Sequence, residues 1–214
     1  MVHHLIQKMT HFVVLIIIPR KIYLQGDVAI RKYIEEIMAP YYEDLRVIPY
    51  IYQTKAQFEE EYQKFKASGI DREGKFATIE RYRIDYCGHD MVDHDGNILS
   101  CYNKDCFWDC YEVGGRWNGD LLNRDRGEKV DVEEDQIADN SISVESFLKL
   151  LVTDKGKYTY GHLLDQNGSL HRSREMGWFA SYNQLIDDKE WESRFEQILG
   201  GAIEDFIVAL DCHI

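Results

Sequence analysis

Apolar positions along the chain recur with three different spacings, and each predicts a different element. His11 to Ile18 is continuously apolar and β-branched, which suits a central strand buried on both faces. Ile30, Tyr33, Ile34, Ile37 and Met38 recur at helical spacing, so a helix is predicted from Asp27, which can cap it, to about Met38; Pro40 stops it. Phe206 to His213 alternates. Phe206, Val208, Leu210 and Cys212 point one way, and Ile207, Ala209, Asp211 and His213 the other.

The intervening chain fills in around these. Leu45 to Tyr52 reads as a strand in which Pro49 implies an edge or a bulge. Thr54 to Gln57 is a capping box, and the helix it starts carries Phe58, Tyr62 and Phe65 on one face and ends near Gly69. Residues 70–95 give the weakest signal, a short helix over Ile79 to Tyr86 and then a polar turn. Asp95-Gly96-Asn97 predicts a hairpin between Ile98–Tyr102 and Phe107–Val113. Residues 123–140 are acidic and poor in aromatics, so a surface excursion is expected. A short helix follows over Ser143 to Leu151. Gln166-Asn167-Gly168 joins Tyr158–Leu164 to Ser169–Ser173 as a hairpin, since Asn-Gly accepts positive φ at both central turn positions. Asp187 and Glu190 cap a last helix with a stripe of Trp191, Phe195, Ile198 and Leu199, and Gly200-Gly201 ends it. The order predicts a single α+β domain over residues 1–214. Its sheet is expected to be mixed or mainly antiparallel with helices packed on it, and its first and last strands to be central neighbours.

Composition narrows the function classes. With 44% hydrophobic and 29% charged residues the chain is globular rather than disordered. A net charge of −13 repels nucleic-acid phosphates, so no nucleic-acid polymer is expected as partner, while one local arginine can still hold a small anionic ligand. Phe12 to Ile18 is too short to span a bilayer, and Pro19-Arg20-Lys21 follows it in place of a cleavage site. No membrane association is therefore expected, and the chain is assigned to the cytoplasm. The five cysteines are then expected to be thiols. Residues 1–9, ending at a second methionine, read as a leader that carries no function.

Ser100 to Trp117 concentrates unusual residues: Cys101, Cys106, Cys110, Trp108, Trp117, Gly114-Gly115 and Arg116. Its core, W-D-C-Y-E-V-G-G-R-W, resembles the W-D-W-Y-E-I-G-G-R-W mark of an uncharacterised family of bacterial, prophage and phage proteins. Thr10-His11-Phe12, Ala39-Pro40-Tyr41, Glu175-Met176-Gly177-Trp178 and Leu210-Asp211-Cys212-His213-Ile214 match that family's other marks, so the resemblance touches both ends and the middle. It implies no known activity. Cys101, Cys106 and Cys110 stand where the family has threonine, serine and tryptophan, which argues against cysteine chemistry.

Several residues are candidates for function. Gly114 and Gly115 let backbone N–H groups converge into an anion-binding nest, and the Arg116 guanidinium can clamp phosphate or carboxylate; alternatively Arg116 pairs with Glu112 or Asp120. Trp108, Tyr111 and Trp117 can stack on a flat ligand or pack in the core. Asp109 and Tyr111, sharing a strand face, can reach the same pocket as acceptor and donor. Asp211 and His213, on one face of the last strand, are the candidate proton-transfer pair. His11 begins the first strand and His213 ends the last, and either pairing sense is expected to keep the two imidazoles apart. No metal site is read: the spacing of Cys101, Cys106 and Cys110, with Cys87, His89 and His94, is not that of a zinc knuckle, and alternation aims Cys106 and Cys110 into packing beside Trp108. The loop Asp93-His94-Asp95-Gly96 lacks acidic residues at the first and last positions of a calcium loop. No cofactor is expected. Two function classes follow. One is binding or turnover of a small phosphate-bearing, nucleotide-like ligand in a pocket formed by residues 108–117. The other is a non-catalytic interaction module with a protein partner, such as a phage or prophage accessory factor. Whether the protein is an enzyme stays open.

Overall fold

A computed structural model describes residues 11–133, 135–153, 160–177 and 181–213. Thr10, Trp178, Ile214 and the proposed leader lie outside them. The chain forms two compact units, residues 1–43 with 105–214, and residues 44–104. The class is α+β, built on a mixed six-stranded sheet in the larger unit.

That sheet is organised by two strands, β1 (His11–Ile18) and the last one, here β10 (Phe206–His213). They pair antiparallel over their full length, with His11 opposite His213 and Ile18 opposite Phe206. Three shorter strands continue the order: β4 (Cys110–Val113) beyond β10, then β6 (His162–Leu164) and β7 (Leu170–Arg172) beyond β1. β5 (Ser141–Ser143) joins the far end of β10. β1 and β6 run parallel, and the other pairs are antiparallel. The expectation that first and last strands are central neighbours holds.

Alternation along β1 and β10 divides the core in two. Phe12, Val14, Ile16 and Ile18 join Val208, Leu210 and Cys212 on one face, under Ile30, Ile34 and Met38 of α2 (Asp27–Met38). Leu15, Ile17, Ile207 and Ala209 face the other way. They meet Phe147 of α6 (Val144–Thr153) and Trp191, Phe195 and Leu199 of α7 (Asp188–Gly200). Leu15, Ile16, Ile17 and Ile18 are fully buried. At about 2 kcal/mol each, these four side chains alone match the net stability of a typical domain, which is why β1 must be central.

Local signals were read well where they concern helix ends. Asp187 accepts N–H bonds from Lys189 and Glu190 at the start of α7. The helix that Asp27 begins is instead preceded by Gly26 as its N-cap, with Asp27 in the first turn. Around 165–169 the turn is longer than two residues: Asp165 N–H donates to the Ser169 carbonyl, and the Asp165 carboxylate accepts from Asn167 and Ser169 N–H. Only Gly168 takes positive φ there, because those bonds, and not an Asn-Gly pair, set the turn. The 123–140 stretch is anchored by Ile137 and Asn140, both buried. A helix, α5 (Asp120–Arg126), runs into its first four residues.

The smaller unit holds α3 (Lys55–Ser68), whose capping box is formed in both directions between Thr54 and Gln57 and which ends at left-handed Gly69. Its core is Phe58, Tyr62, Phe65, Tyr82 and Ile98. β2 (Tyr50–Gln53) is shorter than predicted and is bulged between Ile51 and Gln53 after Pro49. The predicted 98–113 hairpin does not form. β3 (Ile98–Ser100) pairs with β2, while β4 pairs with β10, since the apolar residues of β4 find their burial in the larger sheet. The Asp95-Gly96-Asn97 turn closes instead onto Val92, which bridges Ile98.

His162 gives a testable consequence. It is buried between the rings of Phe12 and Phe107, and burial pushes its imidazole down to about 4 from 6.5. The folded state keeps it neutral while the unfolded chain protonates near 6.5. Its stability contribution is therefore complete above pH 6.5 and is lost as pH falls toward 4, by about 3 kcal/mol at ~1.4 kcal/mol per unit. Urea unfolding of His162→Gln should show a shallower loss of stability between pH 7 and 4.5 than the parent. Equal slopes would show that His162 does not carry this acid sensitivity.

Candidate functional site

One cluster of polar side chains stands where the second core layer runs out. Along β1 and β10 the face that carries Leu15, Ile17, Ile207 and Ala209 continues to His11, Val13, Asp211 and His213. The register sets His11 directly across from His213, with ring centroids 3.9 Å apart. The expectation that the two imidazoles are separated was wrong. In an antiparallel pair the start of one strand lies beside the end of the other.

Asp211 is the centre of the cluster. Only 1% of it is exposed, yet its carboxylate is well partnered. His11 Nδ1 lies 2.9 and 3.0 Å from its two oxygens, and the Arg116 backbone N–H donates to Oδ2 at 3.0 Å. If the carboxylate is ionised, His11 donates from Nδ1 and its Nε2 keeps a lone pair. Among the described residues no hydrogen bond reaches that nitrogen, and the His11 side chain is 15% exposed. His213 is different. Its Nε2 lies 3.9 Å from Asp211 Oδ1, beyond hydrogen-bond length, and both ring nitrogens are buried without a partner among the described residues. The group that Asp211 orients is thus His11, not the His213 predicted as its proton-transfer partner.

The Gly114-Gly115 pair explains how a backbone N–H reaches a buried carboxylate. Gly114 and Gly115 adopt φ of +73° and +48°, which L side chains rarely adopt. A Cβ on Gly115 would sit 2.6 Å from Asp211 Oδ2, and one on Gly114 would overlap the Asn140 amide. The chain then makes a short 3₁₀ turn over Gly115–Trp117. Its nest-like N–H groups are committed inside the protein. Gly114 N–H donates to Ala209, Trp117 N–H to Gly114, and Arg116 N–H to Asp211. The anion held by the glycine turn is the protein's own carboxylate.

The other predicted residues divide between the two faces. Trp108 and Tyr111 belong to the α2 side. Trp108 is buried, donates from Nε1 to the Met38 carbonyl at 3.1 Å and meets Tyr111 edge-on. Tyr111 pairs across the ladder with Cys212, one residue out of phase with Asp211, and burial raises its phenol pKa. These two rings cannot share a pocket with His11. Asp109 donates its N–H to the His213 carbonyl and has a buried, unpartnered Oδ1. Arg116 is exposed and forms no side-chain ion pair among the described residues; Asp120 pairs with Arg124 instead. Trp117 is half-buried. Cys110 is exposed rather than packed beside Trp108, because β4 pairing sets it opposite His213. All five cysteines are free thiols. Although Cys110 as a whole is exposed, desolvation of the thiol itself, followed by the Asp109 carboxylate, pushes that thiol up to about 11, so it is no ready nucleophile. His11 was not among the site residues read from the sequence; the signal available was its place at the head of a strand expected to neighbour β10.

No family model, curated protein or solved structure matches the chain. Among the described residues no helix is long and apolar enough to cross a membrane.

Gly115→Ala tests the cradle. It should destabilise by more than about 2 kcal/mol, through strained φ plus overlap with Asp211. Gly127→Ala, with φ of +71° and open space around it, isolates the φ contribution and should cost about 1 kcal/mol. Equal costs in thermal or urea unfolding would mean that the close approach to Asp211 carries no energy.

Proposed function

We propose that the protein binds, and turns over, a small phosphate-bearing ligand of nucleotide type at the His11–Asp211–Arg116 corner. The supporting observation is that one buried carboxylate holds both the His11 imidazole and the Arg116 backbone N–H. An imidazole fixed through Nδ1 has its other nitrogen available to take and return a proton, the arrangement that general acid–base catalysis uses. The exposed Arg116 guanidinium, paired to no carboxylate among the described residues, supplies the positive point that an anion needs in a protein of charge −13. Trp117 offers the aromatic face, in place of Trp108 and Tyr111. Asp211 positions His11 and does not itself meet the ligand, being almost fully covered.

A second reading, a non-catalytic interaction module, is favoured by a different observation. Among the described residues β2 of the smaller unit pairs with β3 alone, and Ile48, Ile51 and Tyr52 are exposed by 88%, 52% and 59%.

Nucleotide titration followed by tryptophan emission separates these readings. Binding should perturb Trp117, as shown by loss of the signal in Trp117→Phe. Arg116→Ala should weaken binding about 10-fold, or ~1.4 kcal/mol, the size of an exposed charge-assisted contact. If no nucleotide or sugar phosphate perturbs the emission, the ligand reading is abandoned for the interaction module.

A further inference from the structure

We propose that His11, Asp211 and His213 bind a divalent transition-metal ion. Each offers one ligand atom, and these atoms lie within 4.8 Å of one another. Two imidazoles and one carboxylate suit Zn²⁺, Fe²⁺ or Co²⁺, whereas Mg²⁺ and Ca²⁺ prefer all-oxygen sites.

Three observations carry the proposal beyond the donor count. The first is His213, which is nine-tenths buried with both ring nitrogens unpartnered. Leaving such a group unsatisfied is costly, and coordination through Nε2 removes that penalty for the nitrogen turned toward Asp211. The second is geometric. His11 Nδ1 and His213 Nε2 stand 2.9 and 3.9 Å from the same oxygen, Asp211 Oδ1. Ligand atoms around a tetrahedral ion with bonds of ~2.0–2.1 Å are about 3.3 Å apart, so these two separations each differ from that spacing by about half an ångström, and the third, between the imidazoles, lies within 4.8 Å. The third is the support behind the carboxylate. Arg116 N–H holds Asp211 Oδ2, leaving Oδ1 toward the imidazoles, as outer partners do in metal sites. All three ligands stand on the two central strands, the most firmly packed part of the sheet.

Three protein ligands leave a coordination position for water or for a ligand oxygen. Binding an ion replaces the His11–Asp211 hydrogen bond, so the metal, where bound, takes over the role given above to the His11 proton relay. The site itself stands on the geometry of the cluster. Only the further step, that the open position receives a phosphate oxygen, rests on the phosphate-ligand reading.

The test uses the full chain, stripped with chelator and titrated with Co²⁺ and with Zn²⁺ alone. One equivalent per chain is expected, with Co²⁺ giving a visible ligand-field spectrum. His213→Ala and His11→Ala should each weaken binding by about 100-fold or more, beyond the effect of losing an outer partner. His3→Ala with His4→Ala should bind as the parent does, which excludes the N-terminal histidines. Circular dichroism establishes that each variant is folded; if His11→Ala is not, His213→Ala decides, since His213 makes no hydrogen bond through its ring. No stoichiometric uptake, or parent-like affinity in His213→Ala, overturns the proposal. Repeating the nucleotide titration with and without the ion distinguishes the two ideas. Nucleotide binding without metal uptake sinks the metal site alone, and metal uptake without nucleotide binding sinks the phosphate ligand alone.

Discussion

Pairing of β1 with β10 is the constraint on which the larger unit depends. Eight residues of each strand align in one unbroken antiparallel register. Because side chains alternate, that register assigns every residue of both strands to one of two cores at once. A slip by one residue would turn Leu15 and Ile17 toward α2 and send Val14 and Ile16 to the other side. It would also pull His11 off His213. Burial of the apolar residues thus fixes the polar cluster, although the cluster itself contributes little hydrophobic energy.

The second constraint is the close approach of the Gly114–Trp117 turn to Asp211. A buried carboxylate is costly unless its oxygens are hydrogen-bonded. Here one bond comes from an imidazole and one from backbone, and the backbone donor reaches it only because residue 115 has no side chain. Asn140 packs against Gly114 in the same way and accepts the Gly119 N–H at 2.9 Å. The turn is held from both sides by side chains that a single Cβ would displace. The W-D-C-Y-E-V-G-G-R-W segment therefore supports Asp211, and leaves the Arg116 side chain exposed and Trp117 half-buried.

The layout of that segment also separates its aromatic residues by role. Trp108 and Tyr111 lie over the α2 core, where their area contributes to packing, and Trp117 is half-exposed away from it. Trp117 parts from the other two because it stands past the end of β4, in the 3₁₀ turn that Gly114 and Gly115 open.

The amino-acid sequence by itself determined most of the elements. β1, α2 and β10 are legible because their apolar spacing repeats over eight or more residues, and the caps at Thr54 and Asp187 because capping is local chemistry. It also determined the two faces of β10, and that β1 and β10 must be buried. Only the tertiary structure decided which strands pair. β4 left its sequence neighbour β3 for β10, since a strand's burial is settled by the sheet that can cover it and not by the nearest turn. The same long-range pairing joined His11 to residues 200 positions away. No local pattern encodes that meeting, because it depends on the sense and register of two strands whose apolar residues look alike in either direction.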